Sequence, residues 1–317
     1  MTETHDVDLT GGDHDFRVRV YPAAEPNGGL LVWAHGGAFM FGDLAMPEAD
    51  QVGRRLSESG VTVVSVDYTL APLDALSELP PPPPGAEIPS PDQIAAQADA
   101  DRPRARFPVA SLQLVAAFDW AVANAARFGA DPARVAIGGG SAGGNLAAGA
   151  AMRLRDRGEA LPHAVALVYP VAHAPLPPAN DALEALLAEI PEFLTFPPTA
   201  TTAINRNYLG DAMDDRGYAF PGGHDLTGYP PTLIVNAESD RLRASGEAFA
   251  AELALAGVDV SVVRMPGALH GFLNEVGDPA AERTLALLGQ RQCDGAAVFL
   301  RPLAQHHVLA HQPVNGR

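Results

Sequence analysis

Residues 138–145 place a serine among small residues: Gly138-Gly139-Gly140-Ser141-Ala142-Gly143-Gly144-Asn145. Within them Gly139-Gly140-Ser141-Ala142-Gly143 fits G-x-S-x-G, the strand-to-helix turn that lifts a serine oxygen clear of a sheet. A serine hydroxyl needs a base before it can attack a carbonyl, and the base needs a carboxylate to orient it. This turn also fixes the order of the three along the chain as serine, acid, histidine. After Ser141, Asn236-Ala237-Glu238-Ser239-Asp240-Arg241 offers Asp240, and Met265-Pro266-Gly267-Ala268-Leu269-His270-Gly271-Phe272 offers His270. Glu238 is the weaker rival for the acid, and Glu275 follows the histidine. His163, His173, His224, His306, His307 and His311 are rivals for the base. Their positions, before a strand, in an insertion or near the terminus, suit the role less well.

The reaction also needs donors for the oxyanion. The helix starting after Ser141 aims free N–H groups at the reacting centre, and the N–H of Ala142 is the first of them. The loop His35-Gly36-Gly37-Ala38 follows an earlier apolar run, where glycine lets the backbone approach a substrate.

The elements that must hold these residues can be read from periodicity. Leu30–Ala34, Val61–Tyr68, Arg134–Ile137, Ala164–Tyr169, Thr232–Asn236 and Val258–Met265 are apolar runs of strand length. Asp6–Leu9 and Phe16–Tyr21 read as two shorter strands. Helical segments lie between them at Met46–Ser59, Ser111–Phe128, Leu146–Arg155 and Arg241–Ala256, with a last one over Glu282–Leu309 that can break at Gly295. Strands alternating with helices predict an α/β fold with a doubly wound, mainly parallel sheet. Sites in such sheets lie at the carboxyl ends of strands, and Ser141, Asp240 and His35 all fall there. Two stretches interrupt the alternation. Leu73–Arg106 carries Pro80–Pro84 in a row. His173–Gly228 has helices expected at Ala182–Glu189 and Thr199–Tyr208, and reads as a lid.

The chain has 317 residues, 47% of them hydrophobic, which suits one domain over 1–317. A formal charge of -17 disfavours nucleic acid and anionic membranes as partners. Cys293 stands alone, so neither an intrachain disulfide nor a cysteine metal cluster is expected. The first ten residues lack the basic and apolar regions of a secretory signal, and no apolar run approaches about 18 residues. A cytoplasmic location is the simplest expectation.

His35-Gly36-Gly37-Ala38-Phe39, Asp67-Tyr68-Thr69-Leu70-Ala71-Pro72, Ser141-Ala142-Gly143-Gly144-Asn145, Asp240 and His270-Gly271-Phe272 together resemble the hormone-sensitive-lipase family of α/β-hydrolases. The resemblance runs from about Leu30 to Phe272. It implies an α/β-hydrolase fold with a small helical cap built from residues 1–28 and 173–228. It also implies a carboxylesterase acting on short- to medium-chain acyl esters. It carries over Ser141 as nucleophile, Asp240 as acid, His270 as base, and Gly36, Gly37 and Ala142 as oxyanion donors; His35 becomes a shaping residue of the oxyanion loop. No cofactor or metal is required, the partner is a small-molecule ester, and a homodimer is left open. Amide or carbamate hydrolysis and acyl transfer use the same triad, and a non-catalytic small-molecule binder is the reading from another class. The chain departs from the family in three places. Gly140 precedes the serine where an acidic residue is frequent, Ala38 replaces a third glycine, and the proline-rich insertion 73–106 follows Pro72.

Overall fold

The computed structural model describes residues 3–79, 102–214 and 216–293. One sheet organises them. Its strands are β1 (His5–Gly11), β2 (His14–Tyr21), β3 (Leu30–Ala34), β4 (Thr62–Asp67), β5 (Val135–Gly140), β6 (Val165–Val168), β7 (Thr232–Ser239) and β8 (Val260–Leu269). The spatial order is β1-β2-β4-β3-β5-β6-β7-β8. The β1–β2 and β2–β4 pairs are antiparallel, and every pair from β4 to β8 is parallel.

Continuous apolar runs make the central strands because both faces are covered. In β3, Leu30, Val32 and Ala34 enter one core cluster, while Leu31 and Trp33 enter the other. Period-two alternation thus divides a single run between two layers. The first layer holds Leu114 and Phe118 of α2 (Val109–Asn124), Leu146 and Ala147 of α3 (Ala142–Arg157), and Phe249 of α6 (Arg243–Leu255). The second holds Val52 and Leu56 of α1 (Pro47–Glu58), and Leu285 and Leu288 of α7 (Pro279–Cys293). The segment 109–128 is, by length and composition, apolar enough to cross a membrane, contrary to the expectation that no run approaches that length. In the fold α2 packs on α3, β1 and β3, and Leu114, Ala117, Phe118 and Ala121 are buried.

Residues 1–28, expected in the cap, need a correction. The described part of that segment forms β1 and β2, the antiparallel edge of the sheet. Arg19 binds Asp6 and Arg17 binds Asp8 across that pair. Alternation of polar and apolar residues in Phe16–Tyr21 is the pattern of a half-exposed strand, and it prevails, with β2 paired on both sides and β1 alone at the edge. The insertion 173–228 carries α4 (Asp181–Leu187) and α5 (Pro198–Leu209), close to the helices expected there. Of the proline-rich stretch 73–106, residues 80–101 lie outside the described residues, as does the expected helical continuation beyond Cys293.

Candidate active site

β5 ends at Gly140 and α3 begins at Ala142, so one residue turns the chain. Ser141 has φ 52 and ψ -119, a conformation that costs a non-glycine residue about 1–3 kcal/mol. The surroundings hold it there. Its N–H donates to the Val168 carbonyl at 2.9 Å, and its carbonyl accepts from Asn145 N–H at 3.0 Å. The Asn145 side chain in turn donates to the carbonyls of Val171 and Ala219. The glycines are required by close approach. A Cβ on Gly143 would stand 2.1 Å from the Ala34 carbonyl oxygen, and one on Gly139 would stand 2.4 Å from the Gly143 backbone. The glycine run therefore lies inside the strand, which ends at Gly140, three residues later than the end expected at Ile137, and its missing side chains let α3 press against β3.

The fold brings the three predicted residues together. Asp240 follows β7 directly, and His270 follows β8. His270 Nδ1 lies 2.7 Å from Asp240 Oδ2, and Nε2 lies 2.8 Å from Ser141 Oγ. The other Asp240 oxygen, Oδ1, accepts the Leu242 N–H at 2.9 Å. An ionised carboxylate only accepts, so Nδ1 is the donor and Nε2 is free to take the serine proton. Burial alone would lower the His270 pKa. The Asp240 carboxylate overcomes this, with Glu48 adding in the same direction, and the net shift is upward.

The rivals are otherwise engaged. Glu238 accepts the Gly267 N–H at 2.8 Å, and Glu275 is exposed. His173 bonds Ser245 Oγ at 2.8 Å and Glu252 at 3.1 Å. Ser245 is fully buried, so this chain of polar groups ties the start of the insertion 173–228 to α6 rather than meeting a substrate. His163 lies just before β6, away from the carboxyl ends of the strands, and His224 packs beside Gly217. His306, His307 and His311 lie outside the described residues. No group of three or more His, Cys, Asp or Glu side chains among the described residues is placed to hold a metal ion.

The loop after β3 faces the serine. Gly37 has φ 112, and a Cβ there would stand 2.2 Å from the Phe41 carbonyl oxygen. Ala38 and Phe39 also have positive φ. His35 is buried and stacked on Tyr68, with Nδ1 2.7 Å from the Gly36 carbonyl; burial lowers its pKa to about 4, which keeps it neutral. The Tyr68 hydroxyl donates to the His35 carbonyl. At the end of the proline-rich stretch, Arg104 donates to the carbonyls of Met40 and Ala71, and Arg102 donates to that of Gly42. The end of that insertion thus secures the loop after β3. From the cap, Tyr208 stacks on Phe39 at 4.0 Å.

A cavity of about 20 Å³ opens beside Ser141, lined by Ala38, Val171, Phe196, Ile204, Asn205 and Leu242 among others. Two aromatic rings at the site were missed in the sequence. Tyr169 and Phe196 flank the His270 ring at 4.8 and 4.6 Å, and both have positive φ. Tyr169 was legible only as a strand end before Pro170. Phe196 lies in the cap, where no spacing rule reaches. The third residue missed is Glu48, buried beneath the turn.

The alpha/beta hydrolase fold family model matches residues 31–78 and 101–274. The chain is 30% identical over 290 residues to an arylesterase of Saccharolobus solfataricus, covering 90% of this chain and 81% of that one. It is 31% identical over 267 residues to the carboxylesterase NlhH of Mycobacterium tuberculosis, covering 82% and 72%. Among solved structures, the carboxylesterase EstE1 from a metagenomic library superposes with a TM-score of 0.72 at 31% identity, covering 95% of this chain and 90% of that one. The esterase of Pyrobaculum calidifontis gives 0.73 at 30% identity, covering 92% and 84%. Sheet, serine turn and relatives agree, and the chain belongs to the hormone-sensitive-lipase-like family of α/β-hydrolases.

Proposed function

We propose that this chain is a serine carboxylesterase for esters with short acyl groups. The observation that carries the reading is the hydrogen-bonded line Ser141–His270–Asp240 at the mouth of an apolar cavity. His270 Nε2 takes the Ser141 proton as Oγ bonds to the ester carbonyl carbon. The carbonyl π electrons move to oxygen, and Asp240 stabilises the imidazolium. As the tetrahedral intermediate collapses, the bond from carbon to the alcohol oxygen breaks and His270 returns the proton to the leaving alcohol. Water then repeats the sequence on the acyl-enzyme and releases the acid. The oxyanion donors are backbone N–H groups of Gly36, Gly37 and Ala142. Gly36 is buried against Glu48, Gly37 is half-buried, and Ala38 and Ala142 line the cavity.

The cavity beside Ser141 is small and apolar, closed in by Ala38, Phe196, Ile204 and Leu242, and this supports a short acyl group over a long one. Hydrolysis of p-nitrophenyl esters from acetate to long acyl chains tests the reading. Turnover greatest at acetate or propionate, and absent in Ser141→Ala, supports it. A folded protein that turns over no ester refutes it.

A further inference from the structure

Glu48 is a carboxylate without an evident purpose in the triad. It lies in the first turn of α1 with 2% of its surface exposed. Its Oε2 accepts from Asn274 Nδ2 at 3.2 Å, and its own N–H donates to Asn274 Oδ1 at 3.2 Å. Its main-chain carbonyl accepts the Trp33 indole N–H at 3.0 Å. The buried Tyr169 hydroxyl and the Gly36 backbone also act on this carboxylate. A carboxylate is costly to bury, so its retention asks for a reason.

The surroundings supply one. A Cβ built on Gly140, the residue before the nucleophile, would stand 1.6 Å from Glu48 Oε1. A Cβ built on Gly36 would stand 3.0 Å from Oε2 and 3.1 Å from Ser141 Cβ. The carboxylate therefore fills the space that a side chain at position 140 would enter. It touches the turn that carries Ser141, the loop that carries the oxyanion donors, and the segment after His270. Asn274 extends the last contact, because its Nδ2 also donates to the Gly271 carbonyl at 3.2 Å.

We propose that Glu48 is a positioning residue for ester hydrolysis: from α1 it supplies, across space, the carboxylate that Gly140 does not carry, and it sets the register of the serine turn, the oxyanion loop and His270. Its absent counterpart at position 140 is what makes the arrangement fit, since a side chain there would force the Glu48 carboxylate to move. Burial raises the Glu48 pKa, and His270, Asn274 and the Gly36 backbone oppose that rise. The titratable groups acting on Glu48 and His270 are Asp240 after β7, Tyr169 after β6 and Tyr68 after β4. A negative Glu48 favours imidazolium at His270; its removal lowers the pKa of the base and extends activity to lower pH.

The proposal rests on the esterase reading, and Ser141→Ala separates the two. Wild-type activity abolished by that change establishes the esterase; the Glu48 variants are then measured against it. Expected for Glu48→Gln is a kcat about 10–100-fold lower, the scale of a misplaced site, with KM little changed and the acid limb of kcat/KM moved to lower pH. Glu48→Ala loses at least as much. Gly140→Asp lowers Tm in the wild-type background and does so less, or not at all, beside Glu48→Ala, where it also restores part of kcat. An unchanged kcat and acid limb in Glu48→Gln overturns the proposal. So do Tm effects of Gly140→Asp and Glu48→Ala that simply add, a result readable even if no ester is turned over.

Discussion

Replacing Asp240 by Asn keeps the shape of the side chain and reverses one hydrogen bond. The Leu242 N–H donates to Oδ1 at 2.9 Å, so the amide oxygen of an asparagine stays on that donor. The amide NH2 then occupies the place of Oδ2, 2.7 Å from His270 Nδ1. Nδ1 must accept, the ring proton moves to Nε2, and Nε2 faces Ser141 Oγ as a donor rather than a base. A wrong-tautomer substitution of this kind in a serine triad costs about 10⁴ in kcat, equivalent to about 5 kcal/mol of transition-state stabilisation at 1.36 kcal/mol per tenfold. The assay is kcat and KM for p-nitrophenyl acetate from pH 6 to 9, with thermal melting to show an intact fold. Asp240→Asn should lose roughly 10³–10⁴ in kcat at nearly constant KM. Glu238→Gln, which disturbs only the Gly267 contact, should stay within about threefold, as surface changes do. A loss below tenfold in Asp240→Asn, or a larger loss in Glu238→Gln, refutes the assignment of the acid.

Other consequences can be measured alongside. Gly37→Ala puts a Cβ 2.2 Å from the Phe41 carbonyl oxygen at a φ of 112 and forces the loop after β3 to shift, so kcat should fall about 10²–10³-fold and the melting temperature should fall with it. Ile204→Ala enlarges the cavity beside Ser141, and the preferred p-nitrophenyl ester should move from acetate toward butyrate or hexanoate; each added methylene then gains up to about fourfold in relative kcat/KM, the equivalent of ~0.8 kcal/mol. The base must be neutral to act, and the His270 pKa is raised, so kcat/KM should fall as pH drops through a value above 6.5, and a midpoint below 6 would contradict the Asp240 contact. His35 is neutral in the fold with a pKa depressed to about 4, so its contribution to stability is present above its unfolded value near 6.5 and is lost as pH falls toward 4. Urea unfolding of His35→Asn should therefore lose less stability than wild type between pH 7 and 4, by about 3 kcal/mol.

Much of this site could be read from the chain because its constraints are local. The turn at Ser141 needs glycines at fixed offsets, and the apolar runs locate the strands, although β5, β7 and β8 each continue three or four residues past the ends of those runs. The glycine pattern and the order of the runs single out Ser141, Asp240 and His270 as candidates from the sequence alone. What was not legible arises from contacts between distant segments. Glu48 and Gly140 are 92 positions apart, and nothing in either sequence context reveals that one fills the space of the other. Phe196 reaches His270 from a cap whose helices are short and whose path no periodicity describes. Assigning residues 1–28 to the cap followed the family pattern, while the alternating Phe16-Arg17-Val18-Arg19-Val20 already carried the signature of a half-exposed strand.

The central claim is that Ser141 forms a covalent acyl intermediate. Rapid acid quench of the protein with p-nitrophenyl acetate, followed by digestion and mass spectrometry, tests it directly, with His270→Ala and Ser141→Ala in parallel. The account predicts an acetyl group on the peptide containing Ser141 in the wild type, and none in either variant. An acetyl group on another residue, or turnover in Ser141→Ala equal to wild type, would contradict it.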